Sequence, residues 1–304
     1  MDEEVYPSPD LPALPKSLLR DLTARSNRKG TIQLAGHLLL LGTSSILVLW
    51  TAGSLWLLPA LLGQAVALIF LFAPLHECIH RTAFRSRRAN DAVARLCGLV
   101  LLLPARYFRA FHFQQHRFTQ DPRQDPELAG PAPATRAAYL VQVSGLPYWG
   151  ERCSTLWRHA GGRITEPFIT AQQRPAIRRE ARRHLALYGL LAAISLGSGS
   201  GLLVWLWVLP ALIGQPFLRL FLLAEHNGCP QVPDMLANSR TTLTNRFLEA
   251  LCWHMNRHSA HHAYPAIPFH ALPLADRLLA PWIVQRAPGY RALHSAIWAR
   301  LPAT

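Results

Sequence analysis

Two long apolar runs follow the first thirty residues, at 32–50 and 54–75, and His37 is the only titratable side chain in them. Each approaches the roughly 20 residues that a helix needs to cross a bilayer. Thr51, Ala52 and Gly53 join them without charge, which predicts a transmembrane hairpin. A second pair lies at 185–196 and 202–223, joined by Gly197-Ser198-Gly199-Ser200-Gly201. The first of that pair is short unless it begins near His184 and runs into the glycines. Pro210 and Pro216 fall in the last run, where a membrane helix tolerates a kink. Arg219 lies near its end, and a charge at such depth needs a partner or a cavity. Glu225 is the expected partner.

Between the hairpins, 81–184 is arginine-rich, beginning with Arg81, Arg85, Arg87 and Arg88. Within it, 93–105 is apolar but too short to span, which predicts an interfacial or re-entrant helix. Prolines punctuate both this stretch and 225–304, where Trp282 and Trp298 suit interfacial helices. The fold predicted is an all-α integral membrane protein. It has four transmembrane helices in two hairpins, and a cytoplasmic helical cap that carries the histidine clusters described below. The division is a cytoplasmic tail at 1–30, a first hairpin at 31–75, a cytoplasmic region at 76–184, a second hairpin at 185–224 and a cytoplasmic region at 225–304. No apolar stretch lies near Met1, so the tail does not read as a signal peptide.

Composition agrees with a membrane protein. Only 16% of the 304 residues are charged, against about 25% in ordinary soluble domains. The net charge of +14 raises nucleic acid as a partner. The arginines, however, crowd beside the apolar runs, as they do on the cytoplasmic side of a membrane. Both neutral links then face away from the cytoplasm, both termini lie inside, and the partner is the membrane, not nucleic acid. The five cysteines include no close pair, so neither a disulfide framework nor a zinc ribbon is indicated. Cys78 reads as a small buried residue.

The candidate chemistry is histidine. His76-Glu77-Cys78-Ile79-His80 closes the second apolar run, and on a helix that spacing puts both rings on one face. The pattern recurs as His112 with His116, and as His258 with His261 and His262; His226 follows the last run. The predicted topology brings all of these to the same membrane face. Eight imidazoles exceed the four ligands of a tetrahedral site, so two ions are implied. A thiolate-free, imidazole-rich set disfavours iron–sulfur clusters, and a redox pair of irons suits O2 activation. Asp121, Asp125 and Glu127 either orient ligating histidines or cap the turns of their Asp-Pro segments.

The pattern His76-x-x-x-His80, His112-x-x-x-His116 and His258-x-x-His261-His262 resembles the membrane-bound fatty acid desaturase superfamily of bacterial type, which includes hydroxylases. His116-Arg-Phe-Thr-Gln-Asp-Pro122, Ala224-Glu-His-Asn-Gly-Cys-Pro230 and His261-His-Ala-Tyr-Pro265 are similar to bacterial members. The resemblance covers about 70–270. It implies a four-span protein of the bacterial inner membrane with a cytoplasmic active site. It also implies two Fe ions, O2 as oxidant, a ferredoxin- or cytochrome-type electron donor and a lipid acyl substrate. His76, His80, His112, His116, His258, His261 and His262 are then the catalytic metal ligands, with His226 added.

Two positions depart from the family pattern. The second box is commonly H-x-x-H-H, and here the fourth position is Gln115. The third often has an acid before its paired histidines, and here Ala260 stands there. Gln115 either binds weakly through its carbonyl, leaves room for water, or signals altered chemistry. His254, one turn before His258, is a substitute ligand or a hydrogen-bonded neighbour. A competing reading takes His76-Glu77-x-x-His80 as the zinc site of an intramembrane metalloprotease with Glu77 as general base, which leaves the other clusters unexplained.

Overall fold

The structure, a computed structural model, describes residues 12–130 and 132–303; residues 1–11 of the predicted tail lie outside them. After a short helix α1 (Lys16–Leu22), Ser26 opens α2 (Asn27–Trp50) by accepting the Lys29 N–H on its side-chain oxygen. That is the ordinary N-cap role of serine. Helices α3 (Leu57–Ile69) and α4 (Phe72–Ile79) follow, with a break at 70–71, and α4 carries the first histidine pair at its end.

The membrane half is tied together by a few buried polar groups. Gln64 Oε1 accepts from Ser44 Oγ at 2.5 Å, and Gln64 Nε2 donates to the Leu206 carbonyl at 2.9 Å. Leu206 belongs to a π-helical turn, Val204–Val208, whose altered pairing leaves carbonyls to be satisfied from outside. His37 Nε2 donates to the Ala67 carbonyl at 2.9 Å. Such bonds hold helices together where lipid offers no partner.

The arginine-rich middle folds as α5 (Arg87–Val100), α6 (Ala105–Arg117), α7 (Arg136–Ser144) and α8 (Leu146–Ala160). The apolar stretch at 93–105 is therefore no separate re-entrant helix. It is shared between the end of α5 and the start of α6. Helix α9 (Arg174–Gly197) begins with Arg174, Arg178, Arg179, Arg182 and Arg183 and ends in the predicted third apolar run. The π turn leads into α10 (Leu209–His226), which contains Pro216.

Among the described residues, three helices are long and apolar enough to cross a membrane: Asn27–Trp50, Leu57–Ile79 and Val204–His226. The expected fourth run is the second half of α9, whose basic first half keeps the whole helix from that class. Exposed Leu39, Ile46, Trp50, Leu58, Leu190, Ile194, Leu202 and Leu212 give these elements an apolar outer surface, as lipid contact requires.

Gly214 sets the approach of α10 to α3. A Cβ there would lie 2.5 Å from the Ala65 carbonyl oxygen and 2.9 Å from Ile69 Cβ. This contact fixes the height of His226 at the end of α10 relative to α4, which continues the course of α3.

The C-terminal region contains α11 (Arg246–Leu251), α12 (His258–Ala263), α13 (Leu272–Leu279) and α14 (Tyr290–Arg300). The all-α expectation needs one amendment. Strands β1 (Arg240–Thr242) and β2 (Gln285–Ala287) pair in parallel. This small sheet is fastened by Asp276, which accepts from Thr241 at 2.8 Å and from Arg257 at 3.1 Å. The bonds hold the start of α12 beneath the ends of α4 and α10. The main core, including Leu75, Phe108, Trp253 and Phe269, surrounds that junction.

Candidate metal centre

Four helices deliver histidine nitrogens to one place. His76 lies on α4 and His80 at its C-cap; their ring centroids are 5.1 Å apart. His112 and His116 are one turn apart on α6, at 4.4 Å. His261 comes from α12. The ligand-capable atoms of these five rings lie within 4.8 Å of one another. A second group, His226 from the end of α10 with His258 and His262 from α12, meets the same criterion. Helix α12 serves both groups because consecutive residues 261 and 262 are about 100° apart around it, and 258 lies one turn before 262. The groups adjoin: the rings of His116 and His262 stack with centroids 4.1 Å apart.

The nitrogen spacing fits metal ligation. Two imidazole nitrogens at right angles, each ~2.1 Å from a common ion, stand ~3.0 Å apart. Here His112 Nε2 lies 2.9 Å from His116 Nε2, and His116 Nε2 lies 3.1 Å from His261 Nε2. His76 Nε2 lies 2.6 Å from His112 Nε2. Hydrogen bonds alone do not account for this convergence, since a ring nitrogen holds at most one proton. His80 Nε2 and His262 Nε2 are buried with no hydrogen-bond partner.

In the second group the outer nitrogens fix the tautomers. His226 Nδ1 donates to the Asn238 carbonyl at 3.1 Å. Thr119 Oγ1 gives its proton to the Gln115 backbone carbonyl at 2.8 Å, so it accepts from His262 Nδ1 at 3.2 Å. His258 Nδ1 faces the Glu225 carboxylate at 3.3 Å. His226 and His262 therefore turn an Nε2 lone pair inward, the orientation that outer partners impose on metal-binding histidines. Burial first, and neighbouring rings second, hold His80, His112, His258, His261 and His262 well below the usual imidazole range. They are neutral at neutral pH, as ligation requires.

The other singled-out residues take distinct places. Gln115 is buried, with Nε2 3.0 Å from His226 Nε2. Asp121 and Asp125 cap turns: Asp121 accepts from Arg123 N–H, and Asp125 accepts from Gln120 N–H and Glu127 N–H. Asp125 still bears on the centre, because Gln120 Nε2 donates to the His226 carbonyl at 2.8 Å. Glu225 faces His258, while the Arg219 guanidinium lies 4.4 Å from the centroid of the Tyr148 ring. His254 is in neither histidine group. Glu77 Oε1 accepts the Phe269 N–H at 2.9 Å, and Cys78 is buried. Sequence reasoning missed Thr119, Gln120 and Asn238. The first two lie in the Thr-Gln-Asp-Pro segment, which hinted at them; Asn238 carries no local signal.

Comparison with known proteins identifies the family. The family described as fatty acid desaturase matches residues 49–294. The chain is 26% identical over 237 residues to the sn-1 oleoyl-lipid 12-desaturase of Picosynechococcus sp., covering 71% of this chain and 67% of that protein. It is 25% identical over 247 residues to the protein of that name from Synechocystis sp., covering 72% and 68%. It is 24% identical over 242 residues to the chloroplastic omega-6 fatty acid desaturase of Spinacia oleracea, covering 71% of this chain and 51% of that protein.

Proposed function

Because the chain belongs to the fatty acid desaturase family, we propose that it oxidises a lipid-linked acyl chain with O2 at two irons held by His76, His80, His112, His116, His226, His258, His261 and His262. It is an oxidoreductase of lipid metabolism by family. The single observation that carries the finer reading is the convergence of those eight imidazoles into adjoining groups of five and three. The intramembrane protease alternative finds no support: box one converges with three further histidines, and Glu77 is engaged by Phe269.

Bound iron supplies the activation of O2 and the removal of hydrogen from an unactivated C–H bond. The protein's share is orientation and dryness. Asn238 and Thr119 aim two of the second group's rings, and the Glu225 carboxylate faces the third. Phe72 and Phe108 stack on His76 and His112, with centroids 6.0 Å and 5.5 Å apart, and form an apolar wall beside the first group. The relatives' names favour a double bond over a hydroxyl as product, and an oleoyl-type lipid as substrate.

The same reading covers topology. The basic half of α9 lies at the cytoplasmic surface and its apolar half completes a fourth span. Both termini and the metal centre then face the cytoplasm of a bacterial inner membrane. Residues 31–75 and 185–224 form the two hairpins. A ferredoxin- or cytochrome-type protein delivers the electrons at that face.

The test is expression in a bacterium whose lipids hold only saturated and monounsaturated chains, with a ferredoxin and its reductase co-expressed. Fatty acid methyl esters are then analysed by mass spectrometry. A new double bond that requires His116 is the expected result. A new hydroxyl would reassign the product, and unchanged lipids with an iron-loaded protein would overturn the substrate class.

A further inference from the structure

We infer that Gln115 supplies its side-chain carbonyl oxygen as the fourth protein donor of the group formed by His226, His258 and His262. The two metal positions are then unequal, one with five imidazoles and one with three imidazoles and an amide oxygen. This rests on the two-metal reading above.

The placement follows from α6. His112 and His116 are four residues apart and share the face turned to the five-histidine group. Position 115 is rotated by about 100° from 116, which turns it to the end of α10. Gln115 is 1% exposed there. Its Nε2 lies 3.0 Å from His226 Nε2, and its Oε1 is buried without a hydrogen-bond partner. A buried amide oxygen with no donor is costly, and here it lies on a side chain that reaches a histidine cluster.

The chemistry of the pair explains both halves of the amide. His226 donates its Nδ1 proton to Asn238, so its Nε2 presents a lone pair. With a cation present the lone pair is taken, and an N–H directed there has nothing to accept it. A half turn of the amide exchanges nitrogen for oxygen in nearly the same volume. The carbonyl oxygen then joins the three Nε2 lone pairs.

An amide oxygen is a weaker donor than an imidazole for a first-row metal such as iron. The ion in the three-histidine group is consequently held less firmly and leaves first.

The experiment uses the full-length protein in detergent, loaded with ferrous iron. Iron per protein and the time course of release to a ferrous chelator are measured. The wild type is expected to hold two irons that leave in two phases of equal amplitude. Gln115→Leu should hold one iron and show only the slow phase at its wild-type rate. That retained phase also reports that the protein is folded. Gln115→Glu keeps an oxygen and loses the N–H, so it should retain both irons. Gln115→His should retain both and slow the fast phase roughly tenfold. The inference is overturned if Gln115→Leu keeps both irons with wild-type phases, or if Gln115→Glu loses the second iron as Gln115→Leu does. A wild type holding a single iron would instead break the two-metal reading itself.

Discussion

The carboxylate of Glu225 lies 3.3 Å from Nδ1 of His258, while the opposite nitrogen of that ring lies 3.0 Å from His226 Nε2. Glu225 and His226 are consecutive at the end of α10. One helix end therefore brings both a histidine of the three-ring group and the carboxylate that faces its neighbour.

Glu225→Ala should leave His258 free to rotate. Partners of this kind are worth about ten- to hundredfold in metal affinity or activity. The expected outcome is a loss of that size in lipid oxidation, with less iron per protein. Glu225→Gln keeps a carbonyl oxygen facing Nδ1 and should retain most of both. Wild-type iron and activity in Glu225→Ala would show that the contact does not orient the ring.

His80→Ala, His116→Ala and His262→Ala should each abolish oxidation and lower the iron content, because a ligand is lost from a shared centre. Ligands acting as a unit give losses that do not add, so the double variants should look no worse than the singles. Full iron and activity in His116→Ala, beside loss of both in His80→Ala, would remove the second box from the centre.

Topology is open to direct labelling. A cysteine at Ser54, just after the first neutral link, or at Ser198, in the second, should react from outside with a membrane-impermeant thiol reagent in intact cells. One at Ser86, beside Arg85, Arg87 and Arg88, should not. The reverse pattern would invert the arrangement.

Glu77→Gln separates an oxidase from a hydrolase. Glu77 Oε1 accepts a backbone N–H from Phe269, and glutamine can accept the same bond. Iron content and most of the lipid oxidation should survive. A protease using Glu77 as base would lose its activity outright, measured as cleavage of a membrane-anchored reporter peptide.

Close packing at Gly214 gives a prediction about stability. Gly214→Val must push α10 away from Ala65 and Ile69, and overpacking costs about 1–3 kcal/mol. The variant should melt at a lower temperature in detergent and lose iron from the group that includes His226. An unchanged melting temperature would mean that the helices yield at no cost.

The sequence by itself determined everything that depends on neighbours along the chain. Apolar run length marked 32–50, 54–75, 185–196 and 202–223, and three of these runs lie in helices able to cross a membrane, Asn27–Trp50, Leu57–Ile79 and Val204–His226. The four-residue spacings of His76 with His80 and His112 with His116 put each pair on one helix face, because helix geometry is local. The basic start of α9 was equally legible as charge, and it is what separates that helix from the other three. Only the tertiary structure decided how eight rings divide into five and three. His261 and His262 are adjacent in the chain yet belong to different groups, because α12 reaches both groups and turns consecutive residues about 100° apart. The same docking set Glu225 against His258 and brought Asn238 to His226. These contacts join residues from separate helices and loops, and no periodicity encodes which helix end will meet which loop. They follow from packing such as that of Gly214 on Ala65, which is a property of two surfaces and not of either sequence alone.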